Sequence, residues 1–422
     1  MIETMELMPG VTLRCCPDRR FKQGGLSLQL VRPMCREEAG LNALIPAVLL
    51  RGSVNHPDLR TITLKLDELY GASVSTLVRR IGDYQTTGLF CGFMDDRFAL
   101  PGDRVMEPML SFLGELLLQP CIRDGAFLPE IVESEKRNLI ATIEAERNDK
   151  RAYAMASLFR AMCREDSYGI PRLGEKEQVA AITPQALYDH YQKILKESRL
   201  ELFYVGAAPA QQVAALVKPI LEQIERCYVN LLGQTPFSGG PEGQNLTEQM
   251  EVAQAKLCMG FITPITNRDG DFAAMQVFNT IFGAGMTSKL FMNVREKLSL
   301  CYSIGSAYYG SKGIVTVSAG IDAIQEEMAR EEILRQLDAC RNGEITDGEL
   351  GAAREAILSA LRATHDSPGA IESYYATAAL SGMARNTEQY AQTVRAVTRE
   401  QVAQAARSVK LHTTYFLKGA AE

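Results

Sequence analysis

The stretch Thr287-Ser-Lys-Leu-Phe-Met-Asn-Val-Arg-Glu-Lys-Leu-Ser-Leu-Cys-Tyr-Ser303 decides how this 422-residue chain is read. Thr287–Leu298 reads as a helix, and a strand follows over Tyr302–Tyr308. Upstream lie a strand at Lys256–Ile262 and a helix at Asp271–Phe282. Downstream come a strand at Ile314–Ile321, long helices at Gln325–Arg341 and Thr346–Thr364, and a helix capped by Thr398 that leads into strand Thr413–Leu417. The first half shows the same order. Strands Gly10–Arg14 and Leu26–Val31 precede helices Leu41–Arg51 and Thr61–Leu69, ended by Gly52 and Gly71. Strands Ser73–Arg79 and Tyr84–Met94 follow, then long helices at Asp103–Gln119 and Ala126–Met162. A helix with Thr183 as N-cap and Pro184 at its first position leads into strand Leu200–Val205.

Two short matches align the halves. Ala181-Ile-Thr-Pro-Gln-Ala-Leu187 resembles Ala396-Val-Thr-Arg-Glu-Gln-Val402, and Gly88-Leu-Phe-Cys-Gly-Phe-Met94 resembles Gly313-Ile-Val-Thr-Val-Ser-Ala319. Between the halves, Val229–Met250 is rich in Gly, Gln, Asn and Pro, with Ser238-Gly-Gly-Pro-Glu-Gly243 at its centre, the composition of a linker. The expectation is α+β: two tandem domains of similar fold, each an antiparallel-rich sheet packed with helices, over 1–228 and 251–422, joined by a linker at 229–250.

With 46% hydrophobic and 23% charged residues the chain is of ordinary globular composition, and its net charge of -6 argues against a nucleic-acid partner. The N-terminus has no basic and apolar signal pattern and no run approaches 18 apolar residues, so no membrane segment and a cytoplasmic location are expected. The ten cysteines include no C-x-x-C pair and read as reduced core thiols. The four histidines, His56, His190, His365 and His412, are decisive. The closest two are 47 positions apart, so no helix can present two imidazoles at i and i+4, as an HExxH or HxxEH zinc site requires.

Gly174-Glu-Lys-Glu-Gln-Val-Ala-Ala-Ile-Thr183 is similar to an "LGT…I..IT" segment, and Ser288-Lys-Leu-Phe291 with Val294-Arg-Glu-Lys-Leu-Ser-Leu-Cys-Tyr-Ser303 is similar to "SRLF..VREK.GLAYS". Both are features of the pitrilysin/insulinase family, which includes mitochondrial processing peptidase, and the resemblance covers almost the whole chain. It implies the mitochondrial-processing-peptidase-like metallohydrolase fold, twice in one chain, and a zinc endopeptidase ancestry. The family's zinc site is HxxEH on a helix of the first domain plus a Glu on a later helix. Here Ala43 and Ala47 stand where the two His belong, Pro46 stands at the general base, and Thr142 aligns with the third ligand, with Glu135 as a supporting carboxylate. A methyl group cannot bind zinc and a proline cannot accept a proton, so no metal ligand is expected in this chain. A substitute site at His56, near Asp58, Asp67 and Glu68, or at His365 beside Asp366 reads instead as a turn or capping histidine.

The resemblance also implies a substrate clamp, an Arg and a Tyr seven positions apart in the second domain, here Arg295 and Tyr302. Their residue types suit hydrogen bonds to peptide carbonyls; an Arg paired with Glu296 or Asp322 and a half-buried Tyr are the structural alternative. The charged run Glu133–Lys150 reads as a solvated helix face. The functional expectation is a non-catalytic subunit of a heterodimeric zinc peptidase, inactive alone, with zinc held by an HxxEH-bearing paralogue and peptide as substrate. The alternative is a structural or peptide-binding scaffold.

Overall fold

The computed structural model describes residues 2–230, 233, 235, 237, 242–383 and 385–419. The chain forms two compact units, one of Met1–Glu144, Ile170–Gly233 and Thr364–Leu380, the other of Ala145–Gly169, Gln234–Ala363 and Ser381–Glu422. The expected boundaries run along the chain without interruption. The units do not, because each includes a helical segment from the opposite half.

The first half contributes strands β1 (Glu3–Met8), β2 (Val11–Pro17), β3 (Gln23–Pro33), β4 (Ser73–Ile81), β5 (Tyr84–Met94), the short pair β6 (Ile122–Arg123) and β7 (Ala126–Phe127), and β8 (Arg199–Gly206). Its helices are α1 (Arg36–Leu49), α2 (Leu59–Glu68), α3 (Met106–Leu118), α4 (Pro129–Asn148), α5 (Lys150–Met162), α6 (Lys176–Ala180), α7 (Pro184–Glu197) and α8 (Ala210–Leu221). The second half adds β9 (Gln244–Gln249), β10 (Ala255–Ile262), β11 (Ser303–Tyr309), β12 (Ile314–Ile321) and β13 (Lys410–Lys418). Its helices are α9 (Phe272–Asn279), α10 (Glu326–Arg341), α11 (Asp347–Ala363), α12 (Pro368–Ser381), α13 (Thr387–Ala396) and α14 (Arg399–Arg407).

In the first unit six strands join in the order β1-β2-β8-β3-β5-β4, all antiparallel except β2 beside β8. The central strand β3 is buried along its interior, so both of its faces must be covered. Leu28 and Leu30 lie in the main core with Leu44 and Val48 of α1, Met109 of α3 and Ile194 of α7. α12 from the second half covers other residues of the sheet. Its Ile371 packs with Phe203 and Val205 of β8, Tyr375 stacks on Phe203, and Glu372 is held by Ser27 and Gln29 of β3.

In the second unit the order is β11-β12-β10-β13-β9, antiparallel except β9 beside β13. α5 lies on this sheet, with Ala154 and Leu158 packed against Cys258, Tyr415 and Leu417. The expected continuous helix Ala126–Met162 is therefore two helices. Asp149 takes an extended conformation (φ -76°, ψ 95°) and its carboxylate accepts from the Arg151 and Ala152 backbone N–H groups, which starts α5 afresh. The expected linker also ends earlier than Met250. Gln244–Gln249 is β9, held in register by parallel pairing with Thr413–Lys418; positions 238–241 of the expected linker centre lie outside the described residues.

Local signals account for several helix starts. Thr183 accepts from the Ala186 N–H with Pro184 behind it, and Asp58 with Thr61 and Thr398 with Gln401 form capping boxes. No disulfide joins any of the ten cysteines, and burial pushes the Cys15, Cys91 and Cys258 thiols up to about 12, which makes them packing groups and poor nucleophiles. Among the described residues no helix is long and apolar enough to cross a membrane.

Candidate functional site

α1 carries Ala43, Pro46 and Ala47. Ala43 and Pro46 are buried and Ala47 is half-buried. A proline inside a helix removes the hydrogen bond that its nitrogen would donate to the carbonyl four residues back, here Asn42. Thr87 of β5 supplies the missing donor: its hydroxyl lies 2.5 Å from the Asn42 carbonyl oxygen. The Asn42 side chain joins the same region, its amide donating to Gln85 Oε1 at 2.9 Å and its Oδ1 lying 2.8 Å from His190 Nε2. Gln85 in turn donates to the Ala39 and Arg172 carbonyls at 3.0 and 2.7 Å. Gly174 closes against the helix start. It has φ +76°, and a Cβ there would stand 2.7 Å from the Gly40 backbone. The helix is thus locked by neutral hydrogen bonds and close packing.

On α4, Thr142 and Glu135 are both already engaged within the chain. Thr142 is exposed and donates to the Asn138 carbonyl of its own helix at 2.9 Å. Glu135 is buried and paired with Arg51 at 3.3 Å, so its charge is already met by a guanidinium. His56 meets Glu115, Nδ1 to Oε1 at 2.8 Å, with Phe112 edge-on at 4.9 Å, and not the carboxylates of Asp58, Asp67 or Glu68. Among the described residues no three His, Cys, Asp or Glu side chains are grouped to hold a metal ion. Two methyl groups, a proline, a self-bonded threonine hydroxyl and a neutralised carboxylate do not fit a zinc ion.

His190 instead serves stability. Burial pushes its imidazole down from 6.5 to about 4. A depressed histidine is neutral when folded, so its contribution is fully present above pH 6.5 and is lost as the pH falls towards 4. Between pH 7.5 and pH 5 this group should cost the wild type about 2 kcal/mol of unfolding free energy. A His190→Gln variant should lack that increment in urea titrations at the two pH values. An equal pH dependence in both proteins would exclude the assignment.

Arg295 and Tyr302 lie at a helix–strand junction of the second unit. In place of the expected α-helix Thr287–Leu298, Leu290–Lys297 is π-helical, and a shorter π-helical turn occupies Thr280–Ala284. Gly283 permits this packing: a Cβ there would stand 2.7 Å from both Leu290 Cδ1 and Ser306 Oγ. Ser299, at φ +52°, turns the chain out of the helix, its N–H donating to the Arg295 carbonyl at 3.1 Å. The Tyr302 N–H then donates to the Gly320 carbonyl at 2.9 Å and the strand begins.

Both side chains are accessible. The Arg295 guanidinium lies over the Phe291 ring at 4.6 Å, with Glu296 no closer than 3.6 Å. Tyr302 is 62% exposed, its hydroxyl 3.3 and 3.4 Å from the Asp322 carboxylate oxygens. Among the described residues no hydrogen bond or ring contact joins Arg295 to Tyr302. Their intramolecular partners are the long contacts that an incoming acceptor can displace.

A sequence signature described as the peptidase M16 inactive domain matches residues 181–357. The chain is 30% identical over 410 residues to the probable inactive metalloprotease YmfF of Bacillus subtilis (strain 168), covering 97% of this chain and 96% of that protein. This chain belongs to the M16 (pitrilysin/insulinase) peptidase family. Two solved structures carry the fold of this M16 homologue from end to end. A conserved protein from Enterococcus faecalis V583 superposes with a TM-score of 0.91 at 27% identity, covering 100% of this chain and 99% of that one. A peptidase M16 inactive domain from Pseudomonas fluorescens gives 0.81 at 15% identity over 100% and 98%, a likeness of fold. The chain is an M16 metalloprotease homologue of the inactive type. What the sequence does not reveal is the Asn42–Gln85–Thr87–His190 cluster; a proline within an expected helix was the one signal that a carbonyl needed a partner.

Proposed function

We propose that this M16 homologue is the substrate-clamping subunit of a two-chain peptidase, paired with a paralogue that carries HxxEH and its zinc. The reading rests on one combination. The metal-site positions are filled by Ala43, Pro46, Ala47 and Thr142, whereas Arg295 and Tyr302 keep the family spacing on an exposed junction. A guanidinium and a phenol offer hydrogen-bond donors to peptide carbonyls, and such donors matter most where charge develops on the carbonyl oxygen. Metal and base then belong to the partner, and backbone binding to this chain.

The test is peptide hydrolysis by the purified pair. Arg295→Ala with Tyr302→Phe should lower kcat/KM by about 100-fold or more, with the zinc content of the pair unchanged. An unchanged rate removes the clamp role. A stable homodimer that co-purifies with no HxxEH-bearing chain and enhances no hydrolysis would favour the scaffold reading instead.

A further inference from the structure

The second unit contains a cleft of about 420 Å³ at the β11 end of its sheet. Strand register fixes what forms its floor. Gly305 stands opposite Ser318 and Ala307 opposite Thr316, and those two in turn stand opposite Cys258 and Gly260. Side chains alternate along each strand, so all six share one face of the sheet. It is the face that α5 covers, since a Cβ on Gly260 would meet Met162 and Leu158. α5 packs on β10 and β13 and meets the end of β11 through Phe159, whose ring stands 5.1 Å from that of Tyr309; beside this contact lies a shelf floored by glycine, alanine, threonine and serine. Arg151 and Met155 of α5 border the shelf, as do Gly285 and Phe291, the ring on which Arg295 rests.

The charge here is unbalanced. Arg151 is exposed, and among the described residues no ion pair or side-chain hydrogen bond engages its guanidinium. Asp149, the carboxylate nearest in sequence, accepts from the Arg151 and Ala152 backbone N–H groups at 3.0 and 3.1 Å as the cap of α5. Lys256, on the same face of β10 as Cys258, donates to the neutral Gln254 Oε1 at 2.5 Å, and among the described residues no ion pair engages it, the Asp149 charge acting on it from further off. Burial, joined by the Arg151 charge, pushes the Lys256 ammonium down. A cleft with a cation at its border, small side chains on its floor and hydroxyls within it is shaped for an extended chain bearing an anion.

We infer that this cleft binds an extended peptide through a carboxylate, side-chain or C-terminal, received by the Arg151 guanidinium. The inference concerns this chain alone and stands whether or not Arg295 and Tyr302 serve a partner's chemistry.

Fluorescence anisotropy on the purified full-length chain tests it. The probe is a fluorescein-labelled, N-acetylated, C-amidated decapeptide of Gly, Ala and Ser with two central Glu residues. Its Gln and Lys counterparts, and the Gln peptide with a free C-terminal carboxylate, complete the set. The Glu peptide should bind about 10-fold or more tightly than the Gln peptide, and high salt should shrink the difference. Arg151→Gln should abolish the preference and Arg151→Glu should transfer it to the Lys peptide. Arg151 is exposed, so both variants should melt with the wild type. The free-carboxylate peptide divides the supporting outcomes: binding at the level of the Glu peptide assigns the site to chain termini, and at the level of the Gln peptide to acidic side chains. Equal affinity for the Glu and Lys peptides, or a Glu preference that survives Arg151→Glu, overturns the inference.

Discussion

Arg79→Ala is expected to lower the unfolding free energy by about 3–5 kcal/mol. The guanidinium of Arg79 on β4 meets the Glu372 carboxylate on α12 with two parallel bonds, Nη1 to Oε1 at 3.0 Å and Nη2 to Oε2 at 2.9 Å. The Glu372 side chain is 2% exposed and that of Arg79 is 26% exposed. Ser27 Oγ and Gln29 Nε2 also donate to Oε1, at 2.7 and 2.9 Å. Removing Arg79 leaves a buried carboxylate with neutral donors alone, and the charge is then poorly compensated. Glu372→Gln should cost less. Its amide oxygen can still accept from Ser27 and Gln29, and the Arg79 left behind reaches water. The double variant Arg79→Ala/Glu372→Gln should therefore lose less than the sum of the two single losses, as a direct interaction requires. Urea unfolding of the four proteins measures the cycle. An Arg79→Ala loss below about 1 kcal/mol, the range of exposed pairs, would show that the pair does not fasten α12 to the first unit.

The same pair shows where reading the sequence succeeds and where it stops. Strands such as Ile314–Ile321 and Tyr84–Met94, and the Thr183–Pro184 helix start, carry local signals and are found as expected. α12 carries none. Its apolar residues are mostly small alanines without helical periodicity, and its one buried charge answers an arginine 293 positions away. β9 is similar: Gln244-Asn-Leu-Thr-Glu-Gln249 has the composition of a linker, and only pairing with β13 makes it a strand. The break at Asp149 hides among strong helix formers, because a capping aspartate and a surface aspartate look alike in one dimension.

The candidate site divides in the same way. Ala43, Pro46 and Ala47 are singled out by the family resemblance alone, where a substitution at a motif position is itself the signal. The Thr87 hydroxyl that makes Pro46 tolerable, and the Arg51 that neutralises Glu135, are tertiary facts. Arg151 lies just beyond the charged run Glu133–Lys150 and carries no signal of its own; only the fold of α5 onto the second sheet places it at a cleft.

Lys312→Met should cost about 3–5 kcal/mol, for a reason that differs from the Arg79 case. Lys312 lies in the turn between β11 and β12, and its side chain is 0% exposed; its Nζ stands 2.9 Å from Asp166 Oδ2, whose side chain is 2% exposed. Neither charge can reach water if its partner is lost. Asp166 also orders the segment after α5, its Oδ1 accepting from the Tyr168 N–H at 2.8 Å, while the Lys312 carbonyl accepts from the Phe237 N–H at 3.0 Å. The surroundings are apolar, with Met162, Tyr168 and Ile314 in one cluster. Apolar surroundings favour an uncharged replacement, so Lys312→Met/Asp166→Leu should recover most of the loss and come within about 1 kcal/mol of the wild type or exceed it. Lys312→Arg tests geometry separately, since a planar guanidinium has no spare room in a site closed around an ammonium. Urea midpoints and thermal melts of the three variants decide the matter. If the double variant is as unstable as Lys312→Met, the pair is not simply an uncompensated charge waiting to be removed: Asp166 is then needed for its own bond to the Tyr168 N–H, and the ammonium serves to hold that carboxylate in place.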